Sequence, residues 1–477
     1  MYNPDLHFHF IGIGGSGMSG LAEILITSGY KVSGSDVKAS DVSRRLETLG
    51  AQISIGHAAD NIPQSASLVV YSSAINGLNP EIREAKKRKL PIVRRAEVLA
   101  ELMRLKYGVG VAGSHGKTTT TSMCGAILDA ANMDPTVVIG GQVKSLGTGG
   151  RLGKGDFLVA ETDESDRSFL LLKPTVAIVT NIDDEHMNAY RSRRDLEESF
   201  NRFVQSVPFY GLAILCVDDP VVRQISTTLK RRVVTYGFSP DADLQALNIE
   251  ATLQGMRFDV VVKGRELGRF ALPMWGRHLV QNCLAAIAVG LEFGVDAETI
   301  RSALSSFGGV KRRLEVIGEA QGVTVMSDYG HHPTEIRATL RAIRECRSGT
   351  AGRIYTLFQP HRYSRTQLSW NEFLKVFDDT DHLLLTEIYA ASEKPIPGIS
   401  GQSFFNAVVH PSKEFVTAID DAVEAIVPKL SAGDLVLCLG AGSVGSMPER
   451  FLDALASKAE HDSPSDAPVV VAAGAGL

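Results

Sequence analysis

Residues 113–121 read GSHGKTTTT, where two glycines, a lysine and a run of hydroxyls could together grip a phosphorylated ligand. The flanks YGVGVA and TTSMCGAILDAA read as a buried strand and an amphipathic helix. A glycine turn between them aims backbone N–H groups and the positive end of a helix at an anion. Lys117 is placed to reach the outer phosphates as a point charge, and the Thr118 hydroxyl to ligate Mg²⁺. The strict phosphate-loop pattern has four residues between its first glycine and Gly-Lys, whereas two separate Gly113 from Gly116. The plainer reading is an ordinary strand-to-helix turn with a surface lysine. Strand, helix and four consecutive threonines together favour nucleotide binding.

Further acidic and imidazole groups fall at strand ends, where an open α/β sheet keeps its ligands. Glu161 ends DFLVAE, and His186 follows TVAIVTN in TNIDDEHMNAY. A carboxylate and a neutral imidazole beside Thr118 suit Mg²⁺, which takes few protein ligands and fills its octahedron with waters and phosphate oxygens. A lone Glu or His is more often solvated or packed. Their shared position after successive strands reverses that preference.

Gly12, Gly14 and Gly17 form a G-x-G-x-x-G turn after HFHFIGIG, and Asp36 closes the next strand, as a dinucleotide fingerprint requires. Taken alone, this predicts a nicotinamide enzyme. The same spacing recurs at Gly440, Gly442 and Gly445 after DLVLCLG, where tight strand-to-helix packing explains it. A glycine turn at a helix start holds any pyrophosphate, and nothing in the chain selects nicotinamide. A diphosphate ligand other than a nicotinamide is expected at the first turn, and a structural turn at the last.

The elements that must position these groups alternate from the start: HFHFIGIG, a helix through MSGLAEILITSG, YKVSGSD, and a helix near Val42 to Leu49. Such alternation predicts parallel sheets with helices on their faces. At 477 residues the chain is too long for one core and predicts about three domains. The expected bounds are 1–106, 107–309 with a polar β-rich stretch from Ala242 to Phe270, and 310–458, followed by a disordered tail over 459–477.

Hydrophobic residues make up 44% and charged ones 22%, as in a soluble globular enzyme, and the net charge of −5 offers no attraction to nucleic acid or an anionic membrane. Five cysteines, scattered without CxxC spacing, imply neither a disulfide framework nor a zinc site, and point to a reducing compartment. No segment reaches the roughly 18 apolar residues of a membrane span, and the first residues lack a signal peptide's cationic start, so a cytoplasmic protein is expected. The chain carries no signal of an oligomeric state.

GSHGKTTTT, AETDESDRSF at 160–169, TNIDDEHMNAY at 180–190, GRHLVQNCLAA at 276–286, SDYGHHPTEI at 327–336 and FQPHRYSRT at 358–366 together resemble the Mur ligases. The match runs in order from His9 to about Gly445. It implies an α/β fold of three domains with mainly parallel sheets: a Rossmann-like UDP-binding domain, a central ATP-binding domain with a phosphate loop, and a Rossmann-like C-terminal domain.

The resemblance implies roles for matching positions. Gly12, Gly14, Gly15, Ser16, Gly17 and Met18 would bind the UDP of a nucleotide sugar, with Asp36, Ser72 and Ser73 as further contacts. Gly113, Ser114, His115, Gly116, Lys117, Thr118 and Thr119 would hold ATP. Thr118 and Glu161 would hold a first Mg²⁺, and His186 with Glu161 a second. His278 and Asn282 would lie against adenine, joined by Arg313 and Asp328. His331, Arg362 and Arg365 would receive an incoming amino acid, since two arginines three apart can grip a free α-carboxylate. The implied reaction joins UDP-N-acetylmuramate to L-alanine through an acyl phosphate, with Lys117, Glu161, His186 and His331 as catalytic candidates. A recycling ligase that attaches a preformed peptide is the near alternative; a nicotinamide-dependent oxidoreductase and a nucleotide switch are the distant ones.

Four departures stand out. Ser114 replaces a common threonine, Glu185 a common aspartate before His186, and Trp275 a usual proline. Sibling ligases carry a carbamylated lysine after the His186 segment, yet 190–207 contains none.

Overall fold

The structure, a computed structural model, describes residues 5–72, 75–140 and 150–462. It contains three sheets, each built mainly from parallel strands. The first consists of β1 (His7–Ile11), β2 (Lys31–Asp36), β3 (Gln52–Ile55), β4 (Leu68–Tyr71) and β5 (Ile92–Arg94) in the order β3-β2-β1-β4-β5, all parallel. The order reverses beside β1, and the turn after β1 carries Gly12, Gly14 and Gly17 at this switch point, where such sheets hold ligands. Every residue of β1 is buried, including His7 and His9. Their rings are satisfied by Ser33 Oγ at 2.9 Å, and His9 Nε2 also meets Glu81 at 2.8 Å. Polar residues are tolerated inside this strand because each finds a partner.

The second sheet has ten strands: β6 (Tyr107–Ala112), β7 (Thr136–Val138), β8 (Gly150–Arg151), β9 (Phe157–Glu161), β10 (Val176–Val179), β11 (Leu212–Cys216), β12 (Val233–Gly237), β13 (Leu244–Thr252), β14 (Gly255–Val262) and β15 (Arg265–Leu272). Its order is β15-β14-β13-β12-β11-β10-β6-β9-β7-β8. The middle strands are parallel and apolar because helices cover both faces. The polar β-rich stretch is the antiparallel edge formed by β13, β14 and β15, whose burial alternates as a sheet with one wet face requires.

The third sheet comprises β16 (Glu315–Ala320), β17 (Val323–Asp328), β18 (Ile354–Phe358), β19 (His382–Thr386), β20 (Lys413–Val416) and β21 (Leu435–Leu439) in the order β16-β17-β21-β18-β19-β20, with only β16 antiparallel. The helix Met447–Asp462 runs four residues into the segment expected to be a tail, because Phe451 and Leu455 anchor it in the third core. The remainder of that segment, 463–477, lies outside the described residues.

Three sheets nonetheless make two compact units, divided after Lys311. Ile24 of the helix Ser16–Thr27 and Leu99 and Met103 of the helix Arg95–Met103 sit in the same buried cluster as Leu158, Phe169 and Phe200 of the second sheet's domain. Backbone also meets backbone there: a Cβ on Gly150 would come 2.6 Å from the Gly20 carbonyl oxygen. The first two domains therefore share a core. Among the described residues, no helix is long and apolar enough to cross a membrane. All five cysteines are buried free thiols.

Candidate functional site

The 113–121 turn lies between β6 and the helix Lys117–Ala130, as its flanks require. Gly116 stands before that helix at φ +82° and supplies no side-chain cap, so the first-turn amides are left for a ligand. Gly113 adopts φ +140°, and a Cβ there would fall 2.0 Å from Thr180 Oγ1. Both positions need glycine for conformation and for space. The loop is held from behind by the end of β10. Asn181 accepts from the Ser114 amide with its carbonyl at 3.0 Å and from the His115 amide with Oδ1 at 2.8 Å, and Thr180 Oγ1 donates to the His115 carbonyl at 2.6 Å. The Asp183 amide donates to Ser114 Oγ at 2.9 Å, a contact that serine makes as well as threonine would.

Lys117 Nζ donates to the Gly113 and Ser114 carbonyls at 2.6 and 3.0 Å and to Glu164 Oε1 at 2.8 Å. Burial opposes its charge, but Glu164 and Glu161 outweigh that and hold its pKa above the usual lysine value. Burial also pushes the Glu164 carboxyl up, to about 7, against the pull of Lys117. Tyr190 fixes this residue by donating its hydroxyl to the Glu164 carbonyl at 2.6 Å. Glu164 Oε2 is buried without a hydrogen-bond partner.

Thr118 Oγ1 donates to both oxygens of Glu161 at 3.0 and 2.9 Å, so the two residues expected to share an ion are adjacent. Beside His186 the structure places Glu164 and Glu185. His186 Nε2 lies 3.9 Å from Glu164 Oε1 and 3.8 Å from Glu185 Oε1, and these three residues offer ligand atoms within 4.8 Å of one another. The cause is geometric: Glu161, still in β9, turns to Thr118 and the Gly140 amide, while Glu164 comes after the strand and swings under Lys117. Glu164 is not among the residues expected at the site, although AETDESD contains it. Its direction is set by the turn after β9.

The helix Arg277–Glu292 carries His278 and Asn282 one turn apart on one face. Asn282 is buried against the loop, where a Cβ on Gly116 would meet its Oδ1 at 2.6 Å. Trp275 anchors the chain entering this helix by donating Nε1 to the Leu253 carbonyl at 3.3 Å, in the turn between β13 and β14.

In the first domain, the helix Ser16–Thr27 begins after Gly15 with no side-chain cap. Asp36 Oδ2 accepts the Gly14 amide at 2.8 Å and Oδ1 the Val37 amide at 2.7 Å, so its carboxylate braces the turn. The Met18 side chain is packed in the first core and its amide donates to Gly15. Ser72 follows β4, and its carbonyl accepts the Ile75 amide at 3.0 Å; Ser73 lies outside the described residues.

In the unit beginning at Arg312, Asp328 is buried and accepts from the Leu314 and Gly330 amides at 2.7 and 2.8 Å and from the Thr339 hydroxyl at 3.2 Å. These bonds tie β17 to its surroundings, and burial raises its pKa against the pull of Arg313 and both amides. Arg313 lies over the Tyr329 ring and reaches Glu335 at 3.5 Å. His331 packs edge-on to Tyr329 and 5.9 Å from the His361 ring. His361, a second residue outside the expected set, stacks on Tyr389 and meets Arg365 Nη1 through Nδ1 at 3.0 Å. Arg362 is exposed at φ +70°, its amide donating to the Tyr389 carbonyl. His331, His361 and Arg365 thus gather in one cluster, with Arg362 at its edge. The Gly440-Gly442-Gly445 turn is filled: added Cβ atoms would strike Gln359, Tyr389 and Arg312 within 2.7 Å.

Comparison with known proteins follows the same division. Residues 7–107 match the Mur ligase family catalytic domain, 111–290 the Mur ligase middle domain, and 312–442 the Mur ligase glutamate ligase domain. The chain belongs to the Mur ligase family. A UDP-N-acetylmuramate–L-alanine ligase from Anaeromyxobacter dehalogenans is 52% identical over 91% of this chain and 95% of its own length. One of the same name from Solibacter usitatus is 49% identical over 95% and 96%. The crystal structure of the UDP-N-acetylmuramate-alanine ligase of Thermotoga maritima superposes with a TM-score of 0.82 at 28% identity, covering 95% of this chain and all of that one. A murein peptide ligase from Psychrobacter arcticus gives 0.70 at 25% identity, covering 94% and 99%. This Mur ligase therefore shares the three-domain α/β fold over 95% of its length.

Proposed function

We propose that this chain is an ATP-dependent ligase forming an amide between the lactyl carboxylate of UDP-N-acetylmuramate and L-alanine, in the synthesis of peptidoglycan precursors. The observation that carries the reading is the buried Lys117–Glu164 pair at an uncapped helix start, beside the Thr118–Glu161 contact, in a chain half identical to ligases of that name.

A carboxylate has no adequate leaving group for an amine to displace. Its oxygen attacks the γ-phosphorus of ATP, the bond to the β-phosphate breaks, and ADP departs, leaving an acyl phosphate. The alanine amine then attacks the acyl carbon, the C–O bond breaks, phosphate leaves, and the new amide nitrogen gives up its proton. The first-turn amides and Lys117 hold the phosphates and stabilise charge that spreads during transfer. Catalysis in this scheme is positioning and electrostatics. A cation fits the donor set: the Thr118 hydroxyl and Glu161 on one side, and on the other Glu164, Glu185 and His186, with the partnerless Glu164 Oε2 among them. Mg²⁺, an oxygen-seeking ion that leaves positions for phosphate oxygens, would neutralise phosphate charge there. Arg362 and Arg365 would take the alanine carboxylate, with His331 beside them.

Phosphate release is measured with Mg-ATP, UDP-N-acetylmuramate and, in turn, L-alanine, glycine, serine or a tripeptide, using nucleotide sugar labelled with ¹⁸O in its carboxylate. Alanine-dependent release carrying the label into phosphate is expected. Equal release without any amine, or no label in phosphate, would exclude the ligase reaction; preference for the tripeptide would move it to the recycling class.

A further inference from the structure

Arg95 opens the helix Arg95–Met103, and its side chain is 19% exposed. Its guanidinium lies on the first glycine turn: a Cβ on Gly17 would come 2.6 Å from Nη1 and 3.0 Å from Cζ. Glycine at position 17 is what lets the cation rest on the first turn of the helix Ser16–Thr27. A guanidinium has five N–H donors in a planar fork. Among the described residues this one makes no hydrogen bond, and its one ion-pair partner is Asp163 Oδ2 at 3.6 Å. That contact is too long for a hydrogen bond. A largely buried arginine with unfilled donors is costly unless an anion completes it. Asp163 is the residue before Glu164, which holds Lys117. Its carboxylate is itself engaged, accepting the Ser165 amide at 2.9 Å and hydroxyl at 2.6 Å.

We propose that Arg95 is a substrate-binding residue that grips the diphosphate of the nucleotide sugar over Gly17, while Asp163 ties the guanidinium to the segment that bears Glu161 and Glu164. The assignment rests on the reading of the first glycine turn as the nucleotide-sugar site. Two donor sets then converge on one anion: the uncapped amides of the helix start and the planar fork of Arg95. The tether to Asp163 gives the arginine a second task. It links the nucleotide-sugar turn to the acidic segment beside Lys117, so the sugar's carboxylate is presented in register with the transferred phosphoryl group. Lysine cannot reproduce the fork, and glutamine carries no charge.

Dissociation constants for UDP-N-acetylmuramate and for UDP-N-acetylglucosamine, which has the diphosphate without the lactyl carboxylate, are measured by calorimetry on the full chain and on R95Q and R95K. KM values for each substrate are measured alongside. R95Q is expected to weaken both nucleotide sugars by roughly 10- to 100-fold, as loss of charge-assisted hydrogen bonds does, with the KM for ATP within about twofold. R95K recovers part of the loss. Unchanged affinity for both sugars in either folded variant would overturn the proposal, and should R95Q fail to fold, R95K decides alone. Weakening confined to UDP-N-acetylmuramate would overturn the diphosphate assignment. Failure of the unaltered protein to bind either sugar would instead remove the reading on which the proposal rests.

Discussion

Lys117 keeps its charge in a setting that burial opposes, because Glu164 lies 2.8 Å away. Removing one member of such a pair leaves the other uncompensated. Lys117→Ala is expected to abolish alanine-dependent phosphate release with the fold retained, as checked by circular dichroism. Glu164→Gln should lower kcat by about 100-fold or more, since it removes the carboxylate that orients Lys117 and would help hold a cation beside the transferred phosphoryl group; a steady-state assay at saturating ATP reads this. His361 carries a different consequence. Burial, reinforced by Arg365, His331 and Arg362, depresses its pKa from the ordinary 6.5 to about 3. The folded protein thus resists a proton that the unfolded chain accepts. The resulting contribution to stability is whole above pH 6.5 and is lost as pH falls through the window toward 3. His361→Asn should flatten that part of the acid limb in urea-denaturation midpoints measured between pH 7 and pH 4.

At the level of elements, the phosphate-binding turn works because β10 supplies its backing. Thr180 and Asn181 use side chains and backbone to hold residues 114 and 115, leaving the amides of the helix start for a ligand. Gly113→Ala meets two penalties, a Cβ 2.0 Å from Thr180 Oγ1 and a φ of +140° that side chains rarely adopt. The substitution should cost about 1–3 kcal/mol of stability and weaken ATP binding, read by chemical denaturation and calorimetry. Adding Thr180→Ala should relieve the collision and leave the backbone strain, so recovery would be partial. The strand pattern predicted in HFHFIGIG, YGVGVA, DFLVAE and TVAIVTN corresponds to β1, β6, β9 and β10, because continuous apolar runs are what doubly covered parallel strands require. The short β3, β7, β8 and β20 are among the strands that the sequence does not predict. Each has two to four residues and too few alternations to set a period.

For the whole molecule, three sheets and two units are compatible because the first helices lend side chains to the second domain's core. Leu99→Ala, at a buried site in that shared cluster, should cost about 2–5 kcal/mol and destabilise both domains of the first unit together. Denaturation followed by probes placed in the first and second domains should report one coincident midpoint; separate midpoints would show that the shared core does not couple them. The unit from Arg312 has its own sheet and its own apolar cluster, so a 312–477 fragment is expected to give a cooperative thermal transition alone.

Local order in the chain was enough to establish the parallel α/β architecture, the uncapped glycine turns and the candidacy of Lys117, Thr118, Glu161 and His186, because these depend on hydrophobic period and on residues a few positions apart. Which carboxylate faces which cation was decided only in three dimensions. AETDESD offers four acids in seven residues, and the turn after β9 sends Glu161 to Thr118, Asp163 to Arg95 and Glu164 to Lys117. Asp36 and Asp328 show the same limit from the other side. Both carry a side chain suited to a ligand, and both are engaged by backbone amides because the fold brings those amides within about 2.8 Å. Spacing along the chain names the groups available for chemistry; packing between distant segments determines which charges meet.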